Sequence, residues 1–375
     1  MGFQNKVPQF MPWVGQEEYE AIADCFERNW ITEGPKSKEF LKQLLELTGS
    51  QYGVLAPNGT LAIYMALKAI GVGPGDEVIV PDFTFIASAS AVAMAGARPI
   101  FVDVNRRNFQ IDLFSAETLI SPATKAIMPV HIYGTVADMD MVGAFANRHG
   151  LLIIEDAAQA LGVHYKTKHA GTFGKVGTFS FFADKSITTA EGGLITTDDS
   201  NVYEHLLYLR NQGRTKSGSF IHPQLGFNFR ITDLQCAIGL IQLKKLTQIK
   251  KRKLSILKRY QDNLSNISQV SFLKDDPGSE RIPFRVAVLC EESQSLSKEL
   301  QAQGIEPRTF FYPLHKQPAF SYLNDEYTKR GLVMSDEVYP NSVFGFNHGI
   351  CLPTFPTLTE ESIDYVCGVI QKFYL

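Results

Sequence analysis

Residues 52–70 read YGVLAPNGTLAIYMALKAI, and the way this stretch changes character halfway decides the fold. A short apolar run, Tyr52 to Ala56, stops at Pro57-Asn58-Gly59, and a segment of helix length follows at once. Apolar runs of this size bounded by turn residues predict buried strands, and the segment after the turn predicts a helix. The alternation continues outward: DEVIVP (76–81) precedes TFIASASAVAMAGA (84–97), and RPIFVDV (98–104) precedes a polar stretch reaching Thr124. KAIMPVH (125–131), DMDMVGAFANRHG (138–150) and LLIIEDA (151–157) extend it. Short strand-like runs separated by helix-length segments predict right-handed βαβ units, and therefore a mostly parallel sheet covered by helices.

A different texture begins at Asp233. From there to about Leu264 no strong breaker follows Gly239, and Leu243, Leu246, Leu254, Leu257 and Tyr260 recur at helical intervals, which predicts one long helix leaving the first domain. RVAVLC (285–290), the Pro-rich FFYPLHKQP (310–318) and a closing helix SIDYVCGVIQKFY (362–374) predict a smaller α+β domain. The boundary is placed at 245/246, with residues 1–245 forming a large α/β domain with an N-terminal arm and residues 246–375 the small one.

Composition narrows the function classes. The chain has 375 residues, 45% hydrophobic and 20% charged, with a formal charge of -3, so nothing global suggests a nucleic-acid partner. The basic run Lys250-Lys251-Arg252-Lys253 reads as a solvated face of the long helix. Five scattered cysteines without a CxxC pair predict neither a disulfide framework nor a zinc site, and eight histidines without ligand spacing predict no metal. No signal-peptide core or run of membrane length is present in the sequence, so a cytoplasmic location and no membrane partner are expected.

Three features carry chemistry. Asn58-Gly59-Thr60 joins a strand to a helix, where backbone N–H groups can hold a phosphate, although the same junction also serves as a capped turn. Asp156 closes the most apolar strand, LLIIEDA, at the sheet edge where ligands of parallel sheets collect, or else caps the next helix, AAQALG. Lys185 follows the aromatic run Phe179-Ser180-Phe181-Phe182. A lysine at a buried strand end loses hydration and its pKa falls, unless it reaches out to solvent. Together, a phosphate cradle, a strand-end carboxylate and a strand-end lysine are what pyridoxal 5'-phosphate requires.

PNGTLAIYMAL, PDFTFIASASAV, PVHIYG, IIEDAAQALG, TFSFFADKSITTAEGGLITTDD and GFNFRITDLQCAIGLIQL resemble, in order, the motifs of the DegT/DnrJ/EryC1/StrS sugar-nucleotide aminotransferase family. The likeness runs from WITEGP (30–35) to CLPTFPTLTEE (351–361). It implies the fold of pyridoxal-phosphate-dependent aspartate aminotransferases (fold type I). By resemblance Lys185 is the imine-forming lysine, Asp156 the partner of the pyridine nitrogen, and Gln159 the polar residue near the cofactor hydroxyl. Phe85 falls where the family stacks an aromatic ring on the cofactor, and Gly59, Thr60 and Ser180 fall on its phosphate contacts. Asn228 matches an asparagine that reaches the phosphate from a second subunit, which implies a homodimer with shared sites.

Arg230, beside Asn228, suits a substrate carboxylate or phosphate, and equally an interface ion pair. His315 matches a position near the sugar pocket, or is simply packed in its Pro-rich loop. ITTAEGG resembles members that aminate C4 of a 4-keto-6-deoxy sugar. The resemblance therefore implies amino transfer from glutamate to C4 of a GDP-linked 4-keto-6-deoxyhexose of the mannose type, with pyridoxal and pyridoxamine phosphate alternating and a perosamine-type product for surface glycans. A UDP- or dTDP-linked substrate is the nearest variant. A sugar dehydratase of the same scaffold, in which by resemblance a histidine replaces the lysine, and a regulatory protein that keeps the fold are the rivals.

Overall fold

The computed structural model describes residues 6–214 and 220–375. Its large sheet has seven strands: β1 (Tyr52–Ala56), β2 (Glu77–Pro81), β3 (Arg98–Val102), β4 (Thr124–Ile127), β5 (Leu152–Asp156), β6 (Val176–Ser180) and β7 (Gly193–Thr197), in the spatial order β1-β7-β6-β5-β4-β2-β3. The pairs β2–β3, β2–β4, β4–β5 and β5–β6 are parallel, and β7 runs antiparallel to both β6 and β1. The strands predicted from residues 52–157 are all present. Their near-continuous apolar character follows from position, since β2 is buried at every residue and β1 and β3 at four of five.

Register explains how distant residues meet. Gly193 of β7 pairs with Ala56 on one side and with Ser180 on the other, so the end of β1 and the end of β6 flank the same glycine. The helix Gly59–Ala69 therefore begins over Ser180. Asn58 caps it, its side-chain oxygen accepting from the Leu61 N–H at 2.9 Å. On the next strand Asp156 pairs with Thr178 of β6. The polar ends of β1, β5 and β6 thus gather on one edge of the sheet.

The long helix is Asp233–Asn263, started by a capping box in which Thr232 and Gln235 exchange hydrogen bonds. It passes through position 245 unbroken. Leu246 and Ile249 belong to the large-domain core, whereas Ile256 and Tyr260 belong to the core of the small domain, so the changeover falls inside the helix between Ile249 and Ile256. The small sheet is antiparallel, with β8 (Val270–Phe272), β9 (Val286–Cys290), β10 (Arg308–Thr309) and β11 (Gly349–Leu352) in the order β8-β9-β11-β10. Helix Glu360–Tyr374 packs behind it. Two crossings blur the division: Val7 of the N-terminal arm sits in the small-domain core, and Phe320, Leu323, Tyr327 and Tyr339 return to the large one.

Three local expectations need correction. Lys185 is not at the strand end: β6 stops at Ser180, and the chain makes a turn in which Lys185 N–H donates to the Phe182 carbonyl at 3.0 Å. Phe181 is fully buried and tethered to the returning strand through Gly192 and Thr189, which folds the turn inward. The segment AAQALG forms a turn rather than a helix. Finally, the basic run 250–253 is not a uniform solvated face. Lys251 is exposed, but Lys253 lies on the same helix side as Ile249, Ile256 and Tyr260 and is only 2% exposed.

Candidate active site

The Lys185 side chain is 16% exposed, and its amine lies 3.8 Å from Asp184 Oδ1 and 4.4 Å from the centre of the Phe284 ring. Burial pulls its pKa below the ordinary lysine value; the Asp184 and Asp156 carboxylates oppose that fall, and Arg285 adds to it. An amine so placed is kept toward its neutral, nucleophilic form.

Asp156 ends β5 with its carboxylate fixed at both oxygens. Oδ2 accepts from the Ser88 hydroxyl at 2.7 Å and Oδ1 from the Ala158 N–H at 3.1 Å. Ser88 lies 3.1 Å from Thr84 across their hydroxyls, so a short polar chain leads from the segment after β2 to the end of β5. The Ala158 bond closes the turn and leaves the carboxylate oriented. Gln159 is buried, and its side-chain carbonyl accepts from the Tyr133 N–H at 2.7 Å. Its amide N–H₂ is therefore the end left to donate.

The junction expected to hold a phosphate is marked by two close backbone approaches. A Cβ added to Gly59 would lie 2.8 Å from Ser180 Cβ, and one added to Gly193 would lie 2.7 Å from the Asn58 carbonyl oxygen. Only glycine lets the first helical turn and the β6 end approach this closely. With Leu61 N–H taken by the Asn58 cap, the N–H groups of Gly59 and Thr60 at the start of the helix have no partner within it. Phe85 is 58% exposed in the single chain, with its ring edge-on to Phe311 at 6.5 Å.

Three expected contributors make none of these contacts. Asn228 and Arg230 are both exposed, and Arg230 Nε donates to Asn228 Oδ1 at 2.9 Å. His315 is buried with both ring nitrogens engaged, 2.8 Å from Asp82 Oδ2 and 3.0 Å from Asp336 Oδ1, and it stacks on Tyr339 at 4.5 Å. Burial works against its charge, but the two carboxylates hold its pKa above the ordinary histidine value. The Asp82 clamp joins the end of β2 to the segment after β10.

Several participants gave no legible signal. Ser88 sits within the TFIASASAV run but has no sequence relation to Asp156. Asp184 is adjacent to Lys185, yet its partner Arg285, at 2.6 Å, is a hundred positions away by numbering. Lys253 was hidden in a basic run. Among the described residues no helix is long and apolar enough to cross a membrane, and no cluster of His, Cys, Asp or Glu is arranged to hold a metal ion.

With this geometry in hand, comparison with known proteins is specific. Residues 12–371 match the profile described as the DegT/DnrJ/EryC1/StrS aminotransferase family. A GDP-perosamine synthase of Escherichia coli O157:H7 is 37% identical over 98% of this chain and 98% of its own. One from Caulobacter vibrioides is 37% identical over 96% of each. A candidate sugar aminotransferase of Streptococcus pneumoniae, solved in its PLP form, superposes with a TM-score of 0.90 at 28% identity, covering 98% of this chain and 99% of that one.

Proposed function

The chain belongs to the DegT/DnrJ/EryC1/StrS family of pyridoxal-phosphate-dependent aminotransferases, and on that premise we propose that it transfers an amino group from glutamate to C4 of a GDP-linked 4-keto-6-deoxyhexose. The observation that carries the reading is the largely buried Lys185 amine, held toward neutrality and within the influence of Asp156, in the turn that follows Ser180, over which Gly59 begins its helix. The nearly full-length likeness to two GDP-perosamine synthases supports the choice of nucleotide and carbon.

The residues fit pyridoxal phosphate. Gly59, Thr60 and Ser180 would hold its phosphate, Asp156 its ring nitrogen, and Gln159, through the free amide N–H₂, its hydroxyl. When bound, the cofactor supplies an electron sink that lets a C–H bond next to nitrogen lose its proton. Asp156, oriented by Ser88 and Ala158, keeps the ring nitrogen protonated. Lys185 would hold and move the proton: its lowered pKa favours a neutral amine that can accept one and deliver it to the sugar carbon, which as a ketone carries no hydrogen of its own. The pocket must hold C4, rather than C3, within hydrogen-bond reach of that amine. Asn228 would complete the phosphate site of a second copy, with Arg230, its hydrogen-bond partner, meeting substrate anionic groups.

Incubation with glutamate and separate GDP-, UDP- and dTDP-linked 4-keto-6-deoxy sugars tests the reading. Turnover is expected with the GDP sugar, and turnover confined to the other two would refute the nucleotide choice.

A further inference from the structure

Behind the Lys185 amine lies a buried charge cluster assembled from distant parts of the chain. Arg285 Nη2 donates to Asp184 Oδ2 at 2.6 Å, with the two side chains 7% and 9% exposed. The other oxygen, Asp184 Oδ1, is buried without a hydrogen-bond partner and is the oxygen 3.8 Å from Lys185 Nζ. Lys253 Nζ donates to the carbonyls of Pro283 and Phe284 at 3.2 and 3.4 Å. The Phe284 ring lies 4.4 Å from Lys185 Nζ and 4.7 Å from the Arg285 guanidinium carbon.

Two carboxylates, Asp184 and Asp156, are set against three largely buried basic groups, Arg285, Lys185 and Lys253. A guanidinium does not release its proton at any pH the fold survives, so the two lysines bear the excess. Burial first, and then Arg285, push Lys253 down to about 7. Lys185 is lowered in the same sense, with Asp184 and Asp156 pulling the other way. Among the described residues, Asp184, Asp156 and Arg285 are thus the charged groups that act on this amine. A buried carboxylate oxygen left unpaired costs free energy, and this one is aimed at the residue that must alternately gain and lose a proton.

We propose that Asp184 is a positioning residue for Lys185: Arg285 pins one carboxylate oxygen so that the other receives the Lys185 ammonium whenever that amine carries a proton, while the fixed Arg285 charge favours its return to neutral. The proposal rests on the reading of Lys185 as the proton-carrying amine. Because Arg285 stands at the entry to β9, the pair also ties the catalytic turn to the small domain.

The test is trace acetylation of the full-length protein freed of cofactor, across a pH series, with the labelled fraction of the Lys185 peptide read by mass spectrometry. Asp184→Asn keeps an oxygen for Arg285 but removes the charge, so the labelling midpoint of Lys185 should fall by roughly one pH unit. Arg285→Gln keeps an N–H for Asp184 but removes the cation that opposes the Lys185 charge, so the midpoint should rise. A merely structural role would alter thermal stability and leave both midpoints in place, which overturns the proposal. If Asp184→Asn does not fold, the direction of the Arg285→Gln shift decides alone, an unchanged or lowered midpoint being contrary. The readout does not depend on turnover: full activity in Lys185→Ala would defeat the functional reading, whereas unmoved midpoints defeat only the role given to Asp184.

Discussion

Ser88 Oγ donates a 2.7 Å hydrogen bond to Asp156 Oδ2, and the Ala158 N–H holds the other oxygen, so the carboxylate at the end of β5 is presented in one orientation. Its charge, rather than its shape, is what a protonated ring nitrogen requires. Asp156→Asn should therefore still bind pyridoxal phosphate but lose about a hundredfold or more in kcat, because a neutral ring is a poor electron sink. Ser88→Ala should lose about tenfold, in line with one hydrogen bond to a charged group. Cofactor absorbance and kcat measured on the same preparations separate binding from chemistry, and near-normal turnover in Asp156→Asn would leave the residue as a turn former only.

Gly59 stands over Ser180 with no room for a Cβ, which would sit 2.8 Å from Ser180 Cβ. Gly59→Ala should push the helix start away from the β6 end and weaken pyridoxal phosphate binding by about tenfold or more. Affinity for pyridoxal, which lacks the phosphate, should change much less. Titration with both compounds checks this, and equal losses would show that the glycine does not serve a phosphate.

How far the sequence disclosed these arrangements depends on the range of the interaction. The βα alternation from Tyr52 to Asp156 and the long helix from Asp233 were legible because apolar spacing is a local property. Lys185 and Asp156 stood out in the sequence as candidates because a charged residue beside a buried run needs a reason to be there. The Asp184–Arg285 pair was not, since it forms only when β9 is laid against the catalytic turn. Lys253 was misjudged for a related cause: four consecutive basic residues look alike in sequence, yet a helix turns each about 100° from the last, and one of them faces inward. His315 lies with both ring nitrogens bonded to Asp82 and Asp336, partners that no spacing links to it.

Lys253 makes stability depend on pH in a definite sense. Its folded pKa is lowered to about 7 from an ordinary value of 10.5, so between those limits the unfolded chain binds more protons than the folded one. Stability contributed at this position therefore rises as pH increases from about 7 toward 10.5, and the full penalty applies below 7. Lys253→Met should gain stability over the parent by a few kcal/mol more at pH 6.5 than at pH 9.5. Urea unfolding of both proteins at the two pH values measures the difference, and a gap that does not change with pH contradicts a lowered pKa.

Asn228 and Arg230 are bonded to each other on an exposed segment, so a role for Asn228 at the phosphate requires a second copy of the chain. Lys185→Ala and Asn228→Ala, each impaired alone, should regain activity when mixed and allowed to exchange subunits, because one of the two sites then carries both native residues. Verified exchange without recovered activity would place Asn228 outside the partner's site.

The central claim is nitrogen transfer to one carbon of a sugar. With ¹⁵N-glutamate and GDP-4-keto-6-deoxymannose, the account predicts a product whose ¹⁵N couples to the proton at C4 in the NMR spectrum, formed by the parent protein and not by Lys185→Ala. A label at C3, or its appearance at an undiminished rate in Lys185→Ala, would contradict it.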